Sequence, residues 1–173
     1  MSSNREKDAL LSKARHNLKN PVNAILGFSE MLIEDCEDEG YDSIIPDLEK
    51  IHNAGKDILS IIESSFSDSN LKNSGDKISE IASEMEICLR TPINTVIGYS
   101  EMLQEDTEDI DLDTFSEDLE KIIKSGKALT KEIDNVILFN PTEFDQNEDK
   151  SISAIKSVLS SICLLYTSPS PRD

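Results

Sequence analysis

The chain of 173 residues contains two histidines, and only one of them stands in a pattern that suits chemistry. His16 opens the run HNLKNPVNAILGFSEML, residues 16–32, with Asn20 four places on and Pro21 five places on. A neutral imidazole nitrogen is a nucleophile and a base near neutral pH. His52 has no comparable surroundings and reads as a solvated helix residue. The carboxylates Glu34, Asp35, Glu37 and Asp38 lack the spacing of an EF-hand loop, so a solvated acidic turn is predicted there and no metal site. The six glycines are isolated, with no GxG or P-loop pattern to cradle phosphates. Cys36, Cys88 and Cys163 are odd in number, far apart and without a CxxC pair, so neither a zinc site nor a disulfide framework is expected.

A side chain with such a role has to be held by regular structure. Leu11, Ala14, Leu18, Val22, Ile25 and Leu32 fall on spacings of three, four or seven, which predicts a helix with one apolar stripe. His16 lies off that stripe and faces solvent beside Lys13 and Asn20. Pro21 has no N–H, so the carbonyl of Asn17 loses its partner one turn ahead and a bend is expected after His16. The acidic stretch EDCEDEGYDS (34–43) breaks the pattern. A second helix then carries Ile44, Leu48, Ile51, Ile58 and Ile62 on one side.

The text repeats. With a shift of 71 residues, Leu18, Pro21, Asn23, Gly27, Ser29, Glu30, Met31 and Leu32 meet Leu89, Pro92, Asn94, Gly98, Ser100, Glu101, Met102 and Leu103. Asp47-Leu48-Glu49-Lys50-Ile51 later meets Asp118-Leu119-Glu120-Lys121-Ile122, and Gly55-Lys56 meets Gly126-Lys127. The chain is a tandem duplication. It divides into a helical hairpin at 1–66, a linker at 67–76, a second hairpin at 77–139, a linker with a partial helix at 140–163, and a tail at 164–173. One hairpin leaves an apolar stripe in water, so an all-α four-helix bundle of two packed hairpins is the predicted fold. Pairing of both hairpins within the chain is the first expectation; pairing of each with its twin in a homodimer stays open.

Composition excludes several functions. The net charge of −18 repels a phosphate backbone and disfavours both nucleic acid and anionic membrane surfaces. No run reaches the roughly 18 apolar residues of a membrane span. MSSNREKD has no apolar core and is not a secretory signal. A soluble, cytoplasmic protein with idle thiols is expected.

Residues 16–27, with Phe28, Ser29 and Glu30 after them, resemble the H-box of the dimerisation and phosphoacceptor domain (the HisKA type) of sensor histidine kinases. The correspondence runs through His16, Leu18, Lys19, Asn20, Pro21, Val22, Ile25 and Gly27. It covers roughly residues 8–139, with residues 87–137 as a degenerate second copy. The resemblance implies that His16 is the phosphoacceptor and that Asn20 assists in dephosphorylating a partner. The place after the histidine, commonly an acid that takes the imidazole proton, here holds Asn17, which cannot act as a base. Pro21, Pro92, Gly27 and Gly98 are kept in both copies and read as structural. In the second copy Ile87 and Cys88 stand where the histidine and its neighbour would be, so no phosphoryl group can be carried there.

The resemblance also implies partners: a response-regulator receiver domain, whose aspartate takes the phosphoryl group, and an ATP-binding kinase domain acting in cis or trans. No cofactor is expected on this chain itself, ATP and Mg²⁺ entering only through a missing or separate catalytic domain. The competing expectation is a non-catalytic dimerisation or signal-transmitting helical module ahead of another output, such as a nucleotide cyclase. The closing LLYTSPSPRD changes composition abruptly and reads as a non-native tail.

Overall fold

A computed structural model describes residues 2–67, 78–107 and 114–138. Four helices fill these segments: α1 (Ser2–Glu39), α2 (Ile45–Ser65), α3 (Ile78–Asp106) and α4 (Phe115–Leu138). Each helix packs on two neighbours, in the order α1–α2–α3–α4 and back to α1, while α1 and α3 lie across one diagonal and α2 and α4 across the other. The two hairpins therefore close into one four-helix bundle inside a single chain.

The periodic stripes supply the core. Leu18, Val22, Ile25 and Leu32 of α1 and Leu48, Ile51, Ile58 and Ile62 of α2 are fully buried. They join Leu89, Val96 and Leu103 of α3 and Leu119, Ile122 and Leu129 of α4 in one continuous cluster. Burying each such side chain contributes about 1.5–3 kcal/mol, well above what helix propensity supplies, so the stripes rather than local preference hold the helices.

The first hairpin turns later than the sequence pattern suggests. Most of the acidic stretch continues α1 to Glu39, and only residues 40–44 leave the helix. Gly40 adopts φ +80°, a left-handed conformation that glycine takes without a steric penalty. The Tyr41 N–H then donates back to the Cys36 carbonyl at 2.8 Å, the six-to-one bond of a Schellman cap. Cys36, whose carbonyl accepts this bond, is fully buried.

Close approach between helices is set by two other glycines. A Cβ on Gly126 would sit 2.8 Å from Ile97 Cγ1, and one on Gly55 would sit 3.0 Å from Leu26 Cδ2. They occupy equivalent places, and both let the second helix of a hairpin lie tightly against the first. The expected idle thiol is found at Cys36, which is buried and free. The linker at 67–76 beyond Ser67, and everything assigned to 140–173, lie outside the described residues.

Candidate functional site

His16 sits on the exposed side of α1, just before the fully buried Leu18. The helix runs on through Pro21, which is half-buried. The imidazole Nδ1 faces the side-chain amide of Asn20, one turn on, with Nδ2 at 3.5 Å. Asn17 is half-buried beside them.

The setting of the ring is cationic. In a chain of net charge −18, Lys13, Arg15 and Lys19 all stand within one turn of His16. Residues three or four apart are neighbours on a helix surface, so Lys13 and Lys19 flank the ring on its own face. Lys19 also crosses to α2, where its Nζ donates to Glu63 Oε1 at 2.8 Å. That bond, with the charges of Lys19 and Arg15, holds the Glu63 carboxyl below its ordinary range. The basic island around His16 was not read from the motif; the run Lys13, Arg15, Lys19 in an otherwise acidic chain was the available signal.

The second unit reverses this environment. Lys13, Arg15, His16 and Asn20 correspond to Glu84, Glu86, Ile87 and Thr91. Ile87 is 53% exposed, an apolar side chain in water where the first unit presents an imidazole. Arg90, in the place of Lys19, turns to Glu86 on its own helix at 2.8 Å and leaves the neighbouring helix alone.

His52 departs from the solvated residue expected. It is half-buried, and its Nδ1 lies 2.9 Å from Ser29 Oγ, a fully buried hydroxyl on α1. Ser29 Oγ also donates to the Leu26 carbonyl at 3.1 Å. The Ser29 hydroxyl thus lies within hydrogen-bond reach of both the Leu26 carbonyl and His52 Nδ1. In the second unit Ser100 donates to the Val96 carbonyl and the histidine is replaced by the buried Ile123.

Gly27 and Gly98 make no close helix contact among the described residues. Both are exposed, and a Cβ on either would meet nothing within 4 Å. Among the described residues no group of three or more His, Cys, Asp or Glu is placed to hold a metal ion, and no helix is long and apolar enough to cross a membrane.

The pattern described as the His Kinase A (phospho-acceptor) domain, HisKA, matches residues 6–74 and again residues 77–143. The chain belongs to the HisKA family. It is a histidine-kinase phosphoacceptor and dimerisation module in tandem duplicate, and the two HisKA units are the two hairpins of the bundle. No curated protein and no solved structure matches the chain.

Proposed function

We propose that this HisKA pair is the phosphoacceptor of a two-component relay, with His16 taking a phosphoryl group and passing it to the aspartate of a response-regulator receiver. The observation that carries this reading is the contrast between units: an exposed imidazole in a basic island in one, and an exposed isoleucine beside two glutamates in the other. A phosphorylated imidazole bears negative charge, which Lys13, Arg15 and Lys19 offset; at Ile87 nothing can accept it.

The step balances simply. The Nε2 lone pair of His16 attacks the phosphorus of the donor; the N–P bond forms as the bond from phosphorus to the donor oxygen breaks. The donor leaves as ADP from a separate ATP-binding domain, which brings Mg²⁺, or as a receiver carboxylate when transfer runs backward. For Nε2 to offer its lone pair, the proton must stay on Nδ1. Asn17 cannot hold it there as a carboxylate would. The Asn20 amide nitrogen faces Nδ1 at 3.5 Å; rotation of that amide by half a turn would present its oxygen instead, which could then accept the Nδ1 proton. Asn20 thereby serves as a positioning residue for His16.

The test is to incubate the chain with labelled phosphorylated receiver, or with a histidine-kinase catalytic domain and labelled ATP, and to measure acid-labile label. Label on the wild type that is lost in His16→Gln supports the reading. Absence of label with every donor favours a purely mechanical helical module.

A further inference from the structure

The two units meet reciprocally. Lys50 of the first covers the ring of Tyr99 in the second, and Lys121 of the second covers the ring of Phe28 in the first. Lys50 and Lys121 are counterparts 71 places apart, and so are Phe28 and Tyr99. Residues 71 apart on α1 and α3 therefore stand at the same height of the bundle, on opposite sides of its core. Burial agrees: Leu18 and Leu89, Val22 and Ile93, Ile25 and Val96, and Leu32 and Leu103 are all buried in one cluster.

Several of these layers would suit two identical units equally well. Leucine is level with leucine at 18 and 89 and again at 32 and 103, and buried serine with buried serine at 29 and 100. The lysine–ring contacts do not discriminate either, since each unit carries both the lysine and an aromatic ring. Three layers differ, and each does so by compensation. The buried Met85 is level with Ala14, which is half-buried against the same cluster. The buried Ile93 is level with Val22, and the next layer reverses the order, with Ile25 level with Val96. Two first units together would bring alanine to alanine, valine to valine and isoleucine to isoleucine in these layers. Two second units would bring methionine to methionine, isoleucine to isoleucine and valine to valine. Either like pair underfills one layer and overfills another, and a close-packed interior is sensitive to a single methylene in either direction.

We propose that the layers at 14 and 85, 22 and 93, and 25 and 96 make each unit a selective partner for the other and exclude pairing with a like unit. The inner face of the first hairpin fits a second unit, from its own chain or from another copy, and fits a first unit poorly. A bundle assembled under this rule bears one imidazole at position 16 and one isoleucine at position 87, and not two imidazoles. The inference stands on core packing and is independent of what His16 does.

Like pairing can be imitated inside the whole chain. Met85→Ala, Ile93→Val and Val96→Ile together give the three layers of a first-unit pair. Ala14→Met, Val22→Ile and Ile25→Val together give those of a second-unit pair. All six substitutions together return one larger and one smaller residue to every layer, with the sides exchanged. Urea unfolding followed by circular dichroism is expected to show the first triple variant losing about 1 M or more of its midpoint, and the second losing midpoint as well. The sixfold variant is expected to recover most of both losses, a non-additivity that only compensation across the core produces. Triple variants that unfold with the wild type overturn the inference. So does a sixfold variant whose loss is the sum of the two triples. Where a triple variant does not fold, the sixfold variant decides: a folded chain near the wild-type midpoint supports the inference, and an unfolded one overturns it.

Discussion

Lys121 Nζ lies 4.9 Å from the centre of the Phe28 ring, tying the last helix of the bundle to the first. The duplication repeats the device: Lys50 stands 4.7 Å over the ring of Tyr99 and ties α2 to α3. Each lysine is also held by a carboxylate three residues earlier, Asp118 at 2.8 Å and Asp47 at 2.9 Å. These bonds keep both ammonium groups charged above their ordinary range. The two reciprocal contacts join the hairpins at matching points, as a pair of subunits would be joined.

Replacing both lysines with Met, which keeps the apolar stem, is therefore expected to lower the urea midpoint modestly. In a Phe28→Leu, Tyr99→Leu background the same replacements should cost less, because the rings they cover are gone. Equal losses in the two backgrounds would show that the contacts carry no energy.

Three of the mid-helix glycines should respond to alanine with different signs. Gly27→Ala and Gly98→Ala are expected to stabilise by about 0.5–1 kcal/mol through helix propensity, since the added Cβ meets nothing. Gly126→Ala is expected to destabilise, its overpacking penalty of about 1–3 kcal/mol against Ile97 exceeding that gain. Thermal unfolding of the single variants distinguishes these outcomes.

His52→Ile should leave stability unchanged or raise it by roughly 1 kcal/mol. The second unit already contains this solution, with Ile123 buried and Ser100 satisfied by its own helix. Ser29 keeps its bond to the Leu26 carbonyl, so no buried hydroxyl is orphaned. A clear drop in the unfolding midpoint would assign the His52–Ser29 bond a larger role than this geometry gives it.

The helical stripes, the duplication and the closed bundle were legible in the sequence because burial imposes the 3.5-residue spacing directly. The His52–Ser29 bond was not, since it joins residues 23 apart that come together only once α1 and α2 are packed. The Lys19–Glu63 link was hidden by the same long separation. The turn was misplaced because acidic residues do not forbid a helix; the stop is Gly40, whose left-handed conformation ends it.

Cys36 is expected to be chemically silent. Burial, with the charge of Asp35 adding to it, raises its thiol from 9.0 to about 11. The fold favours the protonated form, so its contribution is intact below pH 9 and is lost as pH rises from about 9 toward 11. Alkylation at pH 8 followed by peptide mass spectrometry should modify Cys36 only after unfolding. Rapid modification of the native chain would contradict its burial.

Asn20 is expected to act through the tautomer of His16. Asn20→Asp supplies a carboxylate that holds the Nδ1 proton, and should increase phosphoryl exchange; Asn20→Ala should decrease it by about tenfold or more. The nitrogen-15 spectrum of the His16 ring separates this from a merely structural effect. The Nδ1–H form should grow in Asn20→Asp and shrink in Asn20→Ala. Unchanged tautomer populations in both variants would remove Asn20 from this role.

Native mass spectrometry of the chain after incubation with a phosphorylated receiver tests the central claim most directly. The result expected is a single-chain particle of 19.3 kDa that gains one acid-labile phosphoryl group, absent in His16→Gln. A two-chain particle would show that the second unit does not take the place of a partner subunit. A single chain that gains no phosphoryl group, or keeps it when His16 is replaced, would contradict the assignment of the acceptor.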